Sequence, residues 1–252
     1  MPDSISLCVP VYRSADFLPW LFARLQALRP GPAEVIFLDD ASPDESCRLI
    51  QQYINSVPSG CAIRLVTNRA NTGIAAAYNR LAREARSDWV HILDADDYPV
   101  ETDFYARIQS DLQPSRDVVV AAVRSNSRLI DYSSLALGWL VPRAPPHWWP
   151  LLGSFATRSG VLYRRQALLE QPFDDPAYPG SDVVHLLRLR RERRCSFVSG
   201  AHIYYRVHAS ATSSTERDYG RYRAALDEFG LPTRLSHRLD LALRTAGQRI
   251  AR

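Results

Sequence analysis

Aspartate is distributed along this chain with a bias that points to chemistry. Asp94-Ala95-Asp96-Asp97 follows the apolar run Trp89 to Leu93, and Asp39-Asp40 follows Glu34 to Leu38. Two carboxylates ~4 Å apart repel by about 1 kcal/mol in water and about 4 kcal/mol at an effective dielectric of ~20, so such a cluster calls for a compensating cation. Asp-x-Asp offers hard oxygen ligands from one short turn and leaves positions for water and phosphate oxygens, as Mg²⁺ and Mn²⁺ sites do. The competing reading of Asp94 and Asp96 is a solvated acidic turn, since aspartate favours turns on its own account. Asp39 and Asp40 are open to the same pair of readings. Ser42 is expected to cap the next helix, with Pro43 in its first position and Glu45 closing a capping box, which leaves both carboxylates free for a ligand.

Composition removes other chemistries. All 31 basic residues are arginine. Without lysine there is no pyridoxal Schiff base, no lysine nucleophile and no phosphate loop ending in Lys-Ser/Thr. No GxGxxG follows an apolar run, which argues against a dinucleotide oxidoreductase. Cys8, Cys47, Cys61 and Cys195 form no CxxC pair and read as reduced packing residues rather than a zinc site. A net charge of +4 permits an anionic partner without demanding nucleic acid. The longest apolar run, Val118 to Val123, is far short of the ~20 residues that span a bilayer, so cytoplasmic residence is the default expectation.

The elements that must hold these groups alternate between short apolar runs and helix-like stretches, the signature of β-α units feeding a mainly parallel sheet. Strands are expected at Ile5 to Val11, Glu34 to Leu38, Ile63 to Thr67, Trp89 to Leu93, Val118 to Val123, Gly160 to Tyr163, Ser196 to Val198 and Ile203 to Val207. Helices are expected from Pro43 to about Ile54, and over Ile74 to Ala85, Val100 to Leu112 and Asp182 to Arg191. Open parallel sheets bind ligands at the carboxyl ends of their strands. That rim would carry Pro10-Val11-Tyr12, Asp39-Asp40, Asn68 to Gly73 and Asp94 to Asp97. Gly73 is either a plain turn residue or a place where backbone approaches a flat nucleobase closely.

Two further segments stand apart. Between Asp131 and Leu152, Pro142, Pro145 and Pro146 interleave with Trp139, Trp148 and Trp149, in a stretch too long and too aromatic for a mere connection. The three tryptophans suit the faces of acceptor sugar rings, or serve as a hydrophobic plug or interface anchor. The last twenty residues form a basic helical pattern with Leu235, Leu239, Ala242, Ala246 and Ile250 on one face among five arginines. That stripe either packs on the domain or a partner, or lies on an anionic membrane.

Taken in order, these motifs resemble the family 2 glycosyltransferases. VPVY at Val9 to Tyr12, FLDDASPDES at Phe37 to Ser46, NTGIAAAYN at Asn71 to Asn79, HILDADDY at His91 to Tyr98, Gly180-Ser181-Asp182 before a helix, and YYRVHASATS at Tyr204 to Ser213 all match. The resemblance covers Ser4 to Ser214. It implies an A-type glycosyltransferase fold, a Rossmann-like, mainly parallel central sheet flanked by helices. It implies one domain over residues 1–232, with a nucleotide-sugar half (1–100) and an acceptor half (101–232), then the basic helix 233–252.

The activity implied is inverting transfer of a sugar from a nucleoside diphosphate donor to a hydroxyl of a saccharide or lipid-linked saccharide, in bacterial surface polysaccharide or lipopolysaccharide synthesis. Pro10, Tyr12, Asp39, Asp40, Gly73, Asn79, Asp94 and Ala95 would hold the nucleotide. Asp96 with His208 would hold Mn²⁺ or Mg²⁺, Arg206 and Ser210 would contact the diphosphate from a lid, and Asp182 would be the general base. Tyr78 stands where the family often has arginine, and Ser181 where glutamate is commoner; uridine is the expected nucleoside. The same two departures motivate an alternative from another class, a non-catalytic nucleotide- or sugar-binding protein on a degenerate fold.

Overall fold

The structure, a computed structural model, describes residues 4–57, 62–126, 158–174, 181–192 and 195–208, with the single residue Ala224. Trp139, Trp148 and Trp149 lie outside the described residues, as do Cys61, Gly180, Ser210 and the basic segment 233–252.

Strands β1 (Ile5–Val11) and β2 (Glu34–Asp39) are buried at every position. That pattern is what a parallel strand covered by helices on both faces requires. With β3 (Ala62–Thr67) and β4 (Trp89–Ile92) they form the parallel half of an eight-stranded sheet of order β3-β2-β1-β4-β7-β6-β8-β5. In the other half β7 (Val161–Arg164) runs antiparallel to both β4 and β6 (Val118–Ser125), while β8 (Cys195–Tyr205) is parallel to β6 and antiparallel to β5 (Tyr98–Pro99). All strands but β5 and β7 therefore point the same way, as the sequence led us to expect.

Alternating side chains feed two core layers. On one face Leu7, Val9, Phe37 and Trp89 meet α1 (Leu18–Ala27), α2 (Ser46–Ser56) and α4 (Phe104–Ile108) through Leu21, Ile50 and Phe104. On the other, Cys8, Ile36, Leu38 and Val90 meet α3 (Ile74–Glu84), α5 (Arg165–Glu170) and α6 (Ser181–Glu192) through Ala77, Leu81, Leu168 and Val184. The alanines of α3 bring its axis close to the sheet, so its remaining large residue, Tyr78, is driven to the rim. Cys8, Cys47 and Cys195 are free thiols. No helix among the described residues is long and apolar enough to cross a membrane.

Three expectations are corrected. The capping box at Ser42 does not form: α2 begins at Ser46, and the Ser42 hydroxyl instead accepts the Arg13 backbone N–H at 3.2 Å. Ser46 Oγ accepts Ser14 N–H at 2.9 Å and an Asp44 oxygen accepts Ala15 N–H at 3.1 Å, because the loop after β1 has backbone donors that need acceptors. The two expected strands at 196–198 and 203–207 are one strand, β8, whose pairing jumps from Ala121↔Val198 to Ala122↔His202 across a bulge at 199–201. The expected helix over 100–112 shrinks to α4 plus a 3₁₀ turn at Gln109–Asp111.

Candidate active site

Each loop leaving β1, β2 and β3 contains one residue in the left-handed region, at Arg13 (φ 53°), Ala41 (φ 57°) and Gly73 (φ 86°). For arginine and alanine that conformation costs about 1–2 kcal/mol, and such strain collects where a loop must aim its groups. The three turns fold back over the carboxyl edge of the sheet. They leave the aspartates that follow β2 and β4 facing one rim.

Asp39 and Asp40 behave differently there. Both are buried. Asp39 Oδ2 accepts the Ser42 N–H at 3.3 Å, while its Oδ1 is buried with no hydrogen-bond partner. A buried carboxylate oxygen with nothing to bind is rare and marks a place for a donor. Asp40, by contrast, is already engaged: it accepts Thr72 N–H at 2.9 Å, Thr72 Oγ1–H at 2.9 Å, Gly73 N–H at 3.0 Å and the Asn68 amide. Its carboxylate is the latch that folds the 68–73 loop into place, not the free group expected from the capping argument.

Asp94 to Asp97 lie between β4 and β5, where the chain turns under the end of β8. Asp96 Oδ2 meets His208 Nε2 at 2.8 Å, across 112 residues of sequence. The His208 ring packs on Phe17, with centroids 4.7 Å apart, and the Arg206 guanidinium lies over the same ring at 5.4 Å. Asp97 accepts the Arg206 backbone N–H at 3.0 Å, and its second oxygen is buried without a partner. Burial, then the neighbouring charges of Asp96 and Asp94, pushes the Asp97 carboxyl well above the usual carboxylate range.

Asp96 and His208 together present an oxygen and an imidazole nitrogen, a donor pair that Mn²⁺ accepts. No group of three or more His, Cys, Asp or Glu converges as a metal cage among the described residues. The pair therefore fits a cation whose other ligands are water and phosphate oxygens.

Across the rim, Asp182 occupies the first turn of α6. Arg158 Nη2 stands 3.7 Å from its Oδ2. The same guanidinium lies over the ring of Tyr78 at 4.4 Å and donates through Nη1 to the Tyr78 oxygen, while the Tyr78 hydroxyl donates to Asp94 Oδ1 at 2.7 Å. Burial raises the Asp94 pKa, the Arg158 charge opposes that rise, and Asp96 adds to it. Asp94 and Asp182, far apart in sequence, are thus joined through Tyr78 and Arg158.

The remaining expected residues divide. Gly73 is on the rim, and Tyr12 is exposed there at 42% with Arg13 against its ring at 5.3 Å. Pro10 is buried inside β1 opposite Leu38, and Ala95 is buried beneath the acidic turn. Asn79 is a correction. Its amide is consumed by the backbone of Phe173, donating to the carbonyl at 3.0 Å and accepting the N–H at 2.9 Å, so it fastens the segment before α6 and has no group left for a nucleotide. Arg158, Ser159 and Phe17 were not legible as site residues; each acts through the fold, and one arginine among 31 carries no local signal.

Residues 6–170 match the sequence profile of Glycosyl transferase family 2. The undecaprenyl-phosphate 4-deoxy-4-formamido-L-arabinose transferase of Yersinia enterocolitica is 31% identical over 149 residues, covering 56% of this chain and 43% of that protein. The chain thus spans less than half the length of this curated relative. Among solved structures, the mannosyltransferase PcManGT from Pyrobaculum calidifontis, in complex with GDP-Man and Mn²⁺, superposes with a TM-score of 0.67 at 17% identity, covering 99% of this chain and 76% of that one. S. aureus TarS 1-349 in complex with UDP-GlcNAc superposes with a TM-score of 0.66 at 17% identity, over 96% of this chain and 72% of that one. The mixed sheet with helices on both faces is the A-type glycosyltransferase fold of these neighbours. With the profile extending from β1 to the end of α5, the chain belongs to glycosyltransferase family 2.

Proposed function

We propose that this chain transfers a sugar from a nucleoside diphosphate donor, a uridine nucleotide by expectation, to a hydroxyl of a saccharide or lipid-linked saccharide, with inversion at the anomeric carbon. The observation that carries this reading is the convergence of Asp94, from the acidic turn, and Asp182, from the start of α6, on the Tyr78–Arg158 pair. It sets a solvent-accessible carboxylate across the rim from the carboxylates suited to a donor. Asp39 Oδ1, buried and unpartnered, is the acceptor suited to a base N–H. Asp96 and His208 would hold Mn²⁺ or Mg²⁺. That cation, when bound, supplies charge neutralisation on the departing diphosphate. Asp182 takes the proton of the attacking hydroxyl on the face opposite the leaving group. Arg206 is positioned by Asp97 to meet the diphosphate.

The relative's name, a transferase acting with undecaprenyl phosphate, supports a lipid-linked acceptor and a part in surface polysaccharide or lipopolysaccharide synthesis. Peripheral residence at the inner face of the cytoplasmic membrane suits such an acceptor. Liposome sedimentation of chains with and without residues 234–252 tests it; equal binding removes the helix from that role. The donor site is tested by calorimetric titration of UDP, dTDP and GDP with Mn²⁺ present and then chelated, repeated on Asp96→Ala. Metal-dependent binding of one nucleotide, lost in the variant, supports the reading. No binding of any of the three by folded protein overturns it in favour of the non-catalytic alternative.

A further inference from the structure

Arg158 sits in a position that the family motifs do not account for. It opens the 3₁₀ turn Arg158–Gly160, and the turn is fixed from three sides. His91 Nε2 donates to the Ser159 carbonyl at 2.7 Å, the Asp94 N–H donates to Ser159 Oγ at 3.1 Å, and Arg158 itself is bonded to Tyr78. His91 is in turn held by the Tyr105 hydroxyl at 3.0 Å. The turn therefore belongs to the rigid end of β4, and Arg158 is delivered from a fixed base.

The side chain is laid out so that each part of the guanidinium has a separate task. Its face rests on the Tyr78 ring, Nη1 goes to the Tyr78 oxygen, and Nη2 faces Asp182. Nε is buried and donates to nothing. A buried donor left unpaired is costly, so packing and hydrogen bonding alone would not favour this arrangement. A planar fork with one edge on the acidic turn and the other on α6 fixes the relative placement of the two carboxylates it spans.

We propose that Arg158 is a positioning residue for Asp182, with Tyr78 anchoring it to the donor-side carboxylate Asp94, so that base and donor are held in one register. The inference rests on reading Asp182 as the general base. It makes Tyr78 a working part of the site rather than a degenerate position. Misplacing a reacting group by ~1 Å costs about 100-fold in rate, and that is the scale the bridge governs.

Two measurements decide it. The first needs no turnover: urea midpoints of Arg158→Gln, Asp182→Asn and the double variant. The bridge predicts that the double variant loses less than the sum of the singles; additive losses overturn the proposal. The second follows nucleoside diphosphate release from UDP-glucose, UDP-N-acetylglucosamine, UDP-galactose and GDP-mannose with Mn²⁺. Arg158→Gln should lower kcat about 100-fold with donor KM within about threefold, while Arg158→Lys and Tyr78→Phe each lose about tenfold. A rise in KM matching the fall in kcat, or lysine no better than glutamine, overturns it. Coupling in urea without turnover by the wild-type chain with any of the four donors leaves only a structural ion pair, and likewise overturns it. Absence of nucleotide binding in the calorimetric titration, by contrast, is the separate failure of the donor-site reading.

Discussion

Asn79 and Phe173 exchange two hydrogen bonds across 94 residues, the amide nitrogen giving to the carbonyl at 3.0 Å and the amide oxygen taking the N–H at 2.9 Å. The clasp ties α3, which carries Tyr78, to the segment leading into α6, which carries Asp182. Phe173 completes the junction by packing on Tyr78 at 5.1 Å and stacking on His185 at 3.9 Å.

Replacing Asn79 with alanine leaves the Phe173 backbone unpaired and should cost about 1–3 kcal/mol in urea unfolding. Nucleotide affinity measured by calorimetry should stay within about twofold of wild type. A large loss of affinity with little loss of stability would restore Asn79 to the nucleotide site.

Asp40 should behave as a latch. Asp40→Ala removes the acceptor for the Thr72 and Gly73 N–H groups and for the Thr72 hydroxyl. Bonds to a charged group are worth about 1.5–3 kcal/mol, so stability should fall by roughly 2 kcal/mol or more, a drop in Tm of several degrees. UDP affinity should fall in parallel, because the loop carrying Gly73 loses its fixed conformation. Asp39→Asn should lose affinity with far less effect on Tm.

Asp182→Asn should leave UDP affinity unchanged while lowering nucleoside diphosphate release by about 10²–10⁴, the usual contribution of a general base. Comparison of calorimetry with turnover on the same preparation checks this. Retained turnover would move the base elsewhere.

Two buried histidines predict acid sensitivity. Burial, partly offset by a bond to the Ser159 carbonyl, lowers the His91 pKa to about 4; burial, partly offset by the Gln171 carbonyl, takes His185 to about 4 as well. An unfolded histidine titrates near ~6.5, so between that pH and about 4 the unfolded chain binds the extra protons and stability falls as pH falls. Above pH ~7 neither group contributes a slope. Urea midpoints between pH 7 and 4.5 should decline, and His91→Gln, less stable at pH 7, should show a shallower decline.

The parallel half of the sheet and its acidic rim were legible because β1, β2 and β4 are continuous apolar runs that each end in distinctive residues. The resemblance then assigned roles to Asp39, Asp96 and Asp182. What the sequence hid has physical causes. β5 is only two residues long and exists because β8 pairs with it. Ser199-Gly200 reads as a turn between strands, yet the β6 ladder carries the chain through it as a bulge. Ser42 has the spacing of a cap, but Arg13 N–H reached its hydroxyl instead. Arg158 has no periodicity or motif around it, and its role comes from where the 3₁₀ turn aims it.

The pairing of β8 with β6 and β5 has a consequence for how the site is made as the chain is synthesised. A nascent chain ending after Ser125 has every strand of the parallel half, and with it Asp94, Asp96 and Asp97. Their partners from β8, the Arg206 N–H and His208, arrive 109 and 112 residues later than the groups they meet. Closing so long a loop carries its entropy before any reward, so the last strand should dock late. Until it does, the acidic turn is an uncompensated cluster of negative charge. Recovery of nucleotide binding during refolding should therefore lag recovery of helical signal, reporting the arrival of the final strand.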